Sequence, residues 1–270
     1  MSAVATGPSS GYRTPRGLRR ALLAVIALIA AFTVAQGTVS LLDLAARHTT
    51  TEVEQFDGVR SLVIDDASDV RLTTAPAGAP LELVTKLTEG LRTPSHDAQV
   101  TGDGTLHLSS SCGWVFGNSC AVDYEIRVPA GTRVHVDASS GDVHAEDLRS
   151  SQPVVLAASS GDIDAIGVTA PALRLSTSSG DIEASRVRAG TVRAEASSGD
   201  VLLALARAAD RVDAVASSGD IHVDVPDALY RVDTQAGSGD VNEEGLRTAP
   251  DAPRSISATT GSGDIHLETR

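Results

Sequence analysis

The sequence predicts an all-β fold, a right-handed parallel β-solenoid (β-helix) of about 20 residues per coil, preceded by one transmembrane helix. Three observations carry that prediction. Ser-Gly-Asp followed by Val or Ile occurs seven times in the second half of the chain, aliphatic residues recur at fixed offsets from each copy, and a 22-residue stretch near the N-terminus has no charge.

The repeated pairs are Gly141-Asp142, Gly161-Asp162, Gly180-Asp181, Gly199-Asp200, Gly219-Asp220, Gly239-Asp240 and Gly263-Asp264. Successive glycines lie 20, 19, 19, 20, 20 and 24 residues apart, the mark of one supersecondary unit stacked repeatedly. One residue after each Asp stand Val143, Ile163, Ile182, Val201, Ile221, Val241 and Ile265. Eight residues before it stand Val134, Val154, Leu173, Val192, Val212, Val232 and Ile256. The position six before is Val136, Leu156, Leu175, Ala194, Ala214, Thr234 or Ala258, and the residue between is mostly polar. That alternation is a half-buried strand leading into a turn. Like residues recurring in register favour parallel coils over an array of hairpins, and parallel crossovers are right-handed. Seven coils would rise on the order of 30 Å.

In each corner the glycine supplies a positive φ, and the flanking Ser and Asp bond the turn's own amides. Stacking also places seven carboxylates in one column. A calcium ion shared by Asp162, Asp181, Asp200 and Asp220 would relieve a repulsion of roughly 1 kcal/mol per close pair in water. The plain corner is the preferred reading, because local amides can satisfy each Asp and the nine-residue calcium repeat with paired glycines is absent. No cofactor is expected.

Ahead of the repeats, residues 1–20 read as a disordered cytoplasmic tail with Arg13, Arg16, Arg19 and Arg20 and no acid, and residues 21–42 as a signal-anchor helix. Twenty-two residues at 1.5 Å each span about 33 Å, enough for the hydrocarbon core. The arginines place the N-terminus inside and the repeats outside, in a single-pass protein of the bacterial cytoplasmic membrane. A cleaved signal peptide ending near Thr33-Val34-Ala35 is the rival reading. Residues 43–58 read as a linker.

Residues 59–131 read as degenerate first coils, since Ser68-Asp69-Val70 and Gly102-Asp103 keep parts of the motif. They contain the only cysteines, Cys112 and Cys120, expected to form a disulfide outside the cytoplasm. Trp114 and Phe116 lie between them, as a plug over the first coils or as a contact loop. Residues 132–270 are the regular solenoid. The final strand, from Asp264 to Leu267, has no cap after it, so an open C-terminal edge is expected to allow self-association.

A net charge of −13 excludes a nucleic-acid binder, which needs a basic surface. The other reading is a carbohydrate-active β-helix enzyme, since some β-helices are polysaccharide lyases or hydrolases, but catalysis needs a convergent constellation. His144, His222 and His266 share the column two residues after the Asp but belong to repeats one, five and seven, so they are expected to lie too far apart to act together. No enzyme is expected.

An apolar anchor, the strand Tyr124-Glu125-Ile126-Arg127-Val128-Pro129 and repeated Ser-Gly-Asp-Val/Ile together resemble the bacterial putative-adhesin family of β-strand repeat proteins, a domain of unknown function. The resemblance runs from Val59 to the end of the chain. It implies a β-solenoid of the cell envelope, often behind a membrane anchor and sometimes tied to envelope-stress systems, with no catalytic residues to carry over. The expected role is a structural or interaction module whose partners are an envelope protein, a cell-wall polymer or a second copy.

Overall fold

Alternating apolar residues meet their neighbours one strand away, so the strands pair by repeat. The structure, a computed structural model, describes residues 16–91, 93–112 and 120–270. A helix α1 (Arg16–Ala46) leads into β1 (His48–Phe56), β2 (Ser61–Ala67), β3 (Val70–Thr74), β4 (Leu81–Glu89), β5 (Pro94–Val100), β6 (Thr105–Cys112) and β7 (Cys120–Val128). The repeats follow as β8 (Arg133–Ala138), β9 (Val143–Glu146), β10 (Val154–Ser160), β11 (Ile163–Ile166), β12 (Thr169–Ser179), β13 (Ile182–Ser198), β14 (Val201–Leu205), β15 (Arg211–Ser218) and β16 (Ile221–Val225). The chain finishes with β17 (Leu229–Ala236), β18 (Val241–Glu244), β19 (Arg247–Thr248), β20 (Arg254–Ser262) and β21 (Ile265–Thr269).

Each Ser-Gly-Asp corner joins a strand of one ladder to a strand of another. The ladder upstream of the corners runs β2, β8, β10, β12, the second half of β13, β15, β20, β17, all parallel. The downstream ladder runs β3, β9, β11, the first half of β13, β14, β16, β21, β18, also parallel. Registers pair equivalent residues, such as Ile163 with Ile182 and Val154 with Leu173. The core lies between the ladders. Val134, Leu156, Ile182, Val192 and Ile221 are buried, and fully burying one such side chain is worth about 1.5–3 kcal/mol.

Two departures matter for function. The last repeat is not the last coil. β20 and β21 sit between the fifth repeat (β15, β16) and the sixth (β17, β18), so the coils stack in the order five, seven, six. The expected open edge at Asp264 to Leu267 is therefore corrected: β21 is paired on both sides, and the edge belongs to β18 and most of β17. Composition explains the order. The inward position three residues after the Asp is Ala145, Ala165, Ala184, Leu203, Val223 and Leu267, but Glu243 in the sixth repeat, and only a coil with one face in water can place a carboxylate there.

The N-terminal end mirrors this arrangement. β2 and β3 lie between the first repeat and β6–β7. Beyond them the pattern changes, because β1 and β4, β4 and β7, and β5 and β6 pair antiparallel. Residues 59–131 thus combine parallel coils with antiparallel strands instead of forming coils throughout. Gly102-Asp103 sits in the turn between β5 and β6, where Asp103 accepts the Thr105 amide at 3.2 Å; it is a hairpin turn and not a coil corner. The Thr101 hydroxyl first, then Thr105, hold the Asp103 carboxyl below its ordinary range.

Helix α1 extends beyond the expected span at both ends. Residues 16–20 are helical, the tail 1–15 lies outside the described residues, and the expected linker holds the helix end and β1. The Leu91 amide donates to the Asp43 carboxylate at 2.7 Å, fastening the helix end to the β-domain. From Val25 to Ala46 the helix is long and apolar enough to cross a membrane, and its described side chains are almost all exposed.

Candidate functional site

The repeated corners form the most regular polar surface of the molecule. Each aspartate accepts, through Oδ1, the backbone amide of the aspartate one coil further along. Asp142 donates to Asp69 at 3.0 Å, Asp162 to Asp142 at 2.9 Å, and Asp181, Asp200 and Asp220 each to their predecessor at 2.8 Å. The series continues through Asp264 to Asp220 and Asp240 to Asp264, both 2.8 Å. This corrects the expectation that each carboxylate bonds the amides of its own turn: it is held by the neighbouring coil. The ladder begins with Asp123, whose carboxylate meets the Asp69 amide at 3.4 Å. Burial, the largest influence on it, pushes that carboxyl above its ordinary range.

The corner glycines serve the same close stacking. Gly141 and Gly161 have no positive φ, so the turn itself does not demand glycine there. A Cβ on Gly161 would stand 2.1 Å from the Gly141 carbonyl oxygen, and one on Gly199 2.0 Å from that of Gly180. No side chain fits between the coils at this point. Reciprocal bonds close the gap: the Gly180 amide donates to the Ser198 carbonyl at 3.0 Å, and the Ile182 amide to the Asp200 carbonyl at 2.9 Å.

The histidine expectation is overturned by the stacking order. Because the seventh repeat lies against the fifth, His222 and His266 are register partners. Their rings stack with centroids 5.5 Å apart and planes 14° apart. His222 Nε2 lies 3.2 Å from Glu268 Oε1, and Asn242 Nδ2 lies 3.4 Å from His266 Nε2. A cavity of 510 Å³ is lined by these two histidines, Asp200, Asp220, Asp264, Leu202 and Ile221. His144 stays apart in the first coil, where Nδ1 faces Asp164 at 3.4 Å. The signal that would have found the pair is Glu243, since it marks the sixth repeat as an end coil.

Cys112 and Cys120 are joined as a disulfide with Cα atoms 6.0 Å apart, tying β6 to β7. Trp114 and Phe116 lie outside the described residues. Nearby, Tyr124 is buried with its hydroxyl 3.4 Å from the Ser109 carbonyl, and burial pushes its phenol up to about 12.

The family model Toastrack DUF4097 matches residues 118–268, more than half of the chain. The chain belongs to the Toastrack DUF4097 family. The match takes in the disulfide's second cysteine and all seven corners of the Toastrack region. No curated protein matches the chain in sequence. Solved structures that the chain matches include a putative cell adhesion protein from Clostridium sporogenes, 15% identical, with a TM-score of 0.41 over 83% of this chain and 100% of that one. A putative adhesin from Bacteroides fragilis is 17% identical, with a TM-score of 0.46 over 83% and 97% of the two chains. A putative lipid binding protein from Parabacteroides distasonis is 15% identical, with a TM-score of 0.45 over 81% and 96%.

Proposed function

We propose that the chain is a membrane-anchored, extracytoplasmic binding module of a bacterial envelope, adhesin-like in role, with its N-terminus inside and a right-handed β-solenoid outside. One observation carries the reading. A continuous ladder of strands begins at β1, one residue after the apolar helix, and passes through β4, β7, β3, β9, β11, β13, β14, β16 and β21 to β18. Ten spacings of about 4.8 Å set the far edge roughly 48 Å from β1. Such a rod holds a surface away from a membrane. The handedness follows from the general rule for parallel crossovers. The disulfide suits an oxidising compartment, and the net charge of −13 keeps the module from nucleic acid.

The reading is one of binding and not of catalysis, with an envelope protein or cell-wall polymer as partner. At the far end of the stack, a partner that pairs strand to strand would meet β18, whose four residues are all exposed, and the open side of β17. A single cysteine appended after Arg270 tests the compartment, the native pair being already oxidised. It should react with a membrane-impermeant maleimide in intact cells; reaction only after lysis would overturn the orientation and with it the adhesin-like role.

A further inference from the structure

We infer that the turn between β4 and β5, through Leu91, is seated in the headgroup–acyl boundary of the bilayer beside the end of α1, so that the β-domain meets the membrane at two points. The inference rests on the membrane reading of α1 and adds a second contact to it.

Strand pairing brings the turn to the helix. Antiparallel β1 and β4 set His48 opposite Glu89, and His48 Nε2 lies 3.4 Å from the Glu89 carboxylate. His48 stands two positions past the end of α1 and Leu91 two positions past Glu89, so the chain after β4 comes back to the last helical turn. There the Leu91 amide donates to the Asp43 carboxylate at 2.7 Å. Asp43 lies three residues before Ala46, the end of the apolar stretch, a depth of about 4.5 Å at 1.5 Å per residue. The turn is therefore level with the end of the stretch and not above it.

The chemistry of the contact suits that layer. Where water is scarce, a free backbone amide and an unpaired carboxylate are both costly. The Leu91 amide and the Asp43 carboxylate satisfy each other, and Asp43 is 3% exposed. Leu91 itself is 49% exposed, and Leu41 and Leu44 in the last turns of α1 are 68% and 62% exposed. The boundary of a bilayer buries such apolar side chains. Immediately beyond them the chain turns polar, with His48, Thr49, Thr50 and Thr51 opening β1, so the apolar surface stops where headgroups give way to water. Only Arg47 links α1 to β1, and a second seat at Leu91 holds the rod at a fixed angle to the membrane instead of letting it pivot on that link.

The test uses the full chain in phosphatidylcholine bilayers, with one nitroxide label at a time on an introduced cysteine, the native cysteines being joined to each other. Leu91→Cys, Leu28→Cys and Leu202→Cys are compared by spin resonance in the presence of oxygen, which concentrates among the acyl chains, and of a water-soluble nickel chelate. Leu28 lies within the apolar stretch, and its label should read the hydrocarbon core. Leu202, a comparably exposed leucine at 42% on β14, controls for any affinity of the label for lipid and should read water. The Leu91→Cys label should lie about 5–10 Å into the boundary, the range for interfacial apolar side chains. A Leu91→Cys label as open to nickel as the one at Leu202→Cys, with Leu28→Cys still in the core, would overturn the seat and leave the anchor standing. A Leu28→Cys label in water would overturn the anchor and the seat with it.

Discussion

At the scale of single residues, what the corner asks of glycine differs from what its sequence suggests. Read alone, Ser-Gly-Asp is a turn that needs a positive φ, and five of the seven glycines have one. The common cause is the preceding coil of the stack, whose carbonyl oxygen occupies the space of a Cβ. A contact between coils is invisible in one coil's sequence, although the repetition of glycine in every corner is its trace. Gly199→Ala should accordingly destabilise the domain by about 1–3 kcal/mol or more, the range for overpacking. Gly102, with nothing within 4 Å of its added Cβ and no positive φ, gives the control, and Gly102→Ala should change stability by about 0.5 kcal/mol or less. Urea unfolding of both variants reads the difference; equal midpoints would mean that the coils do not approach this closely.

At the scale of elements, periodicity located the strands and their inward faces well, because a half-buried strand must alternate. Pairing partners were legible only as far as repeats stack in order. The same column position therefore has two environments: Ile265 is 0% exposed and Val241 is 44% exposed. Ile265→Ala should cost about 2–4 kcal/mol through lost burial and a residual cavity. Val241→Ala, on the edge strand, should cost about 1 kcal/mol or less. Thermal melts of the two variants decide this. If the final repeat were the edge, the larger loss would move to Val241. The antiparallel strands β1, β4 and β5 were not legible at all, since alternation is the same in parallel and antiparallel strands and no repeated residue marked their register.

At the scale of the whole molecule, both ends of the stack use one device. The coil adjoining the regular stack, β2–β3 at one end and β20–β21 at the other, is covered by a coil from elsewhere in the chain. The histidine pair was missed for this reason: chain order placed His222 and His266 two repeats apart, and the insertion made them neighbours. The order can be measured by crosslinking. Val215 is the register partner of Thr259, and Thr259 in turn of Gln235, so Val215 and Gln235 stand two strand spacings apart, about 9.6 Å. A disulfide needs Cα atoms roughly 4.4–6.8 Å apart. Val215→Cys with Thr259→Cys should therefore oxidise to a crosslink under mild conditions, while Val215→Cys with Gln235→Cys should keep two free thiols. Mass spectrometry after alkylation and proteolysis distinguishes the products. Coils stacked in sequence order would give the reverse result, and His222 and His266 would then no longer be register partners.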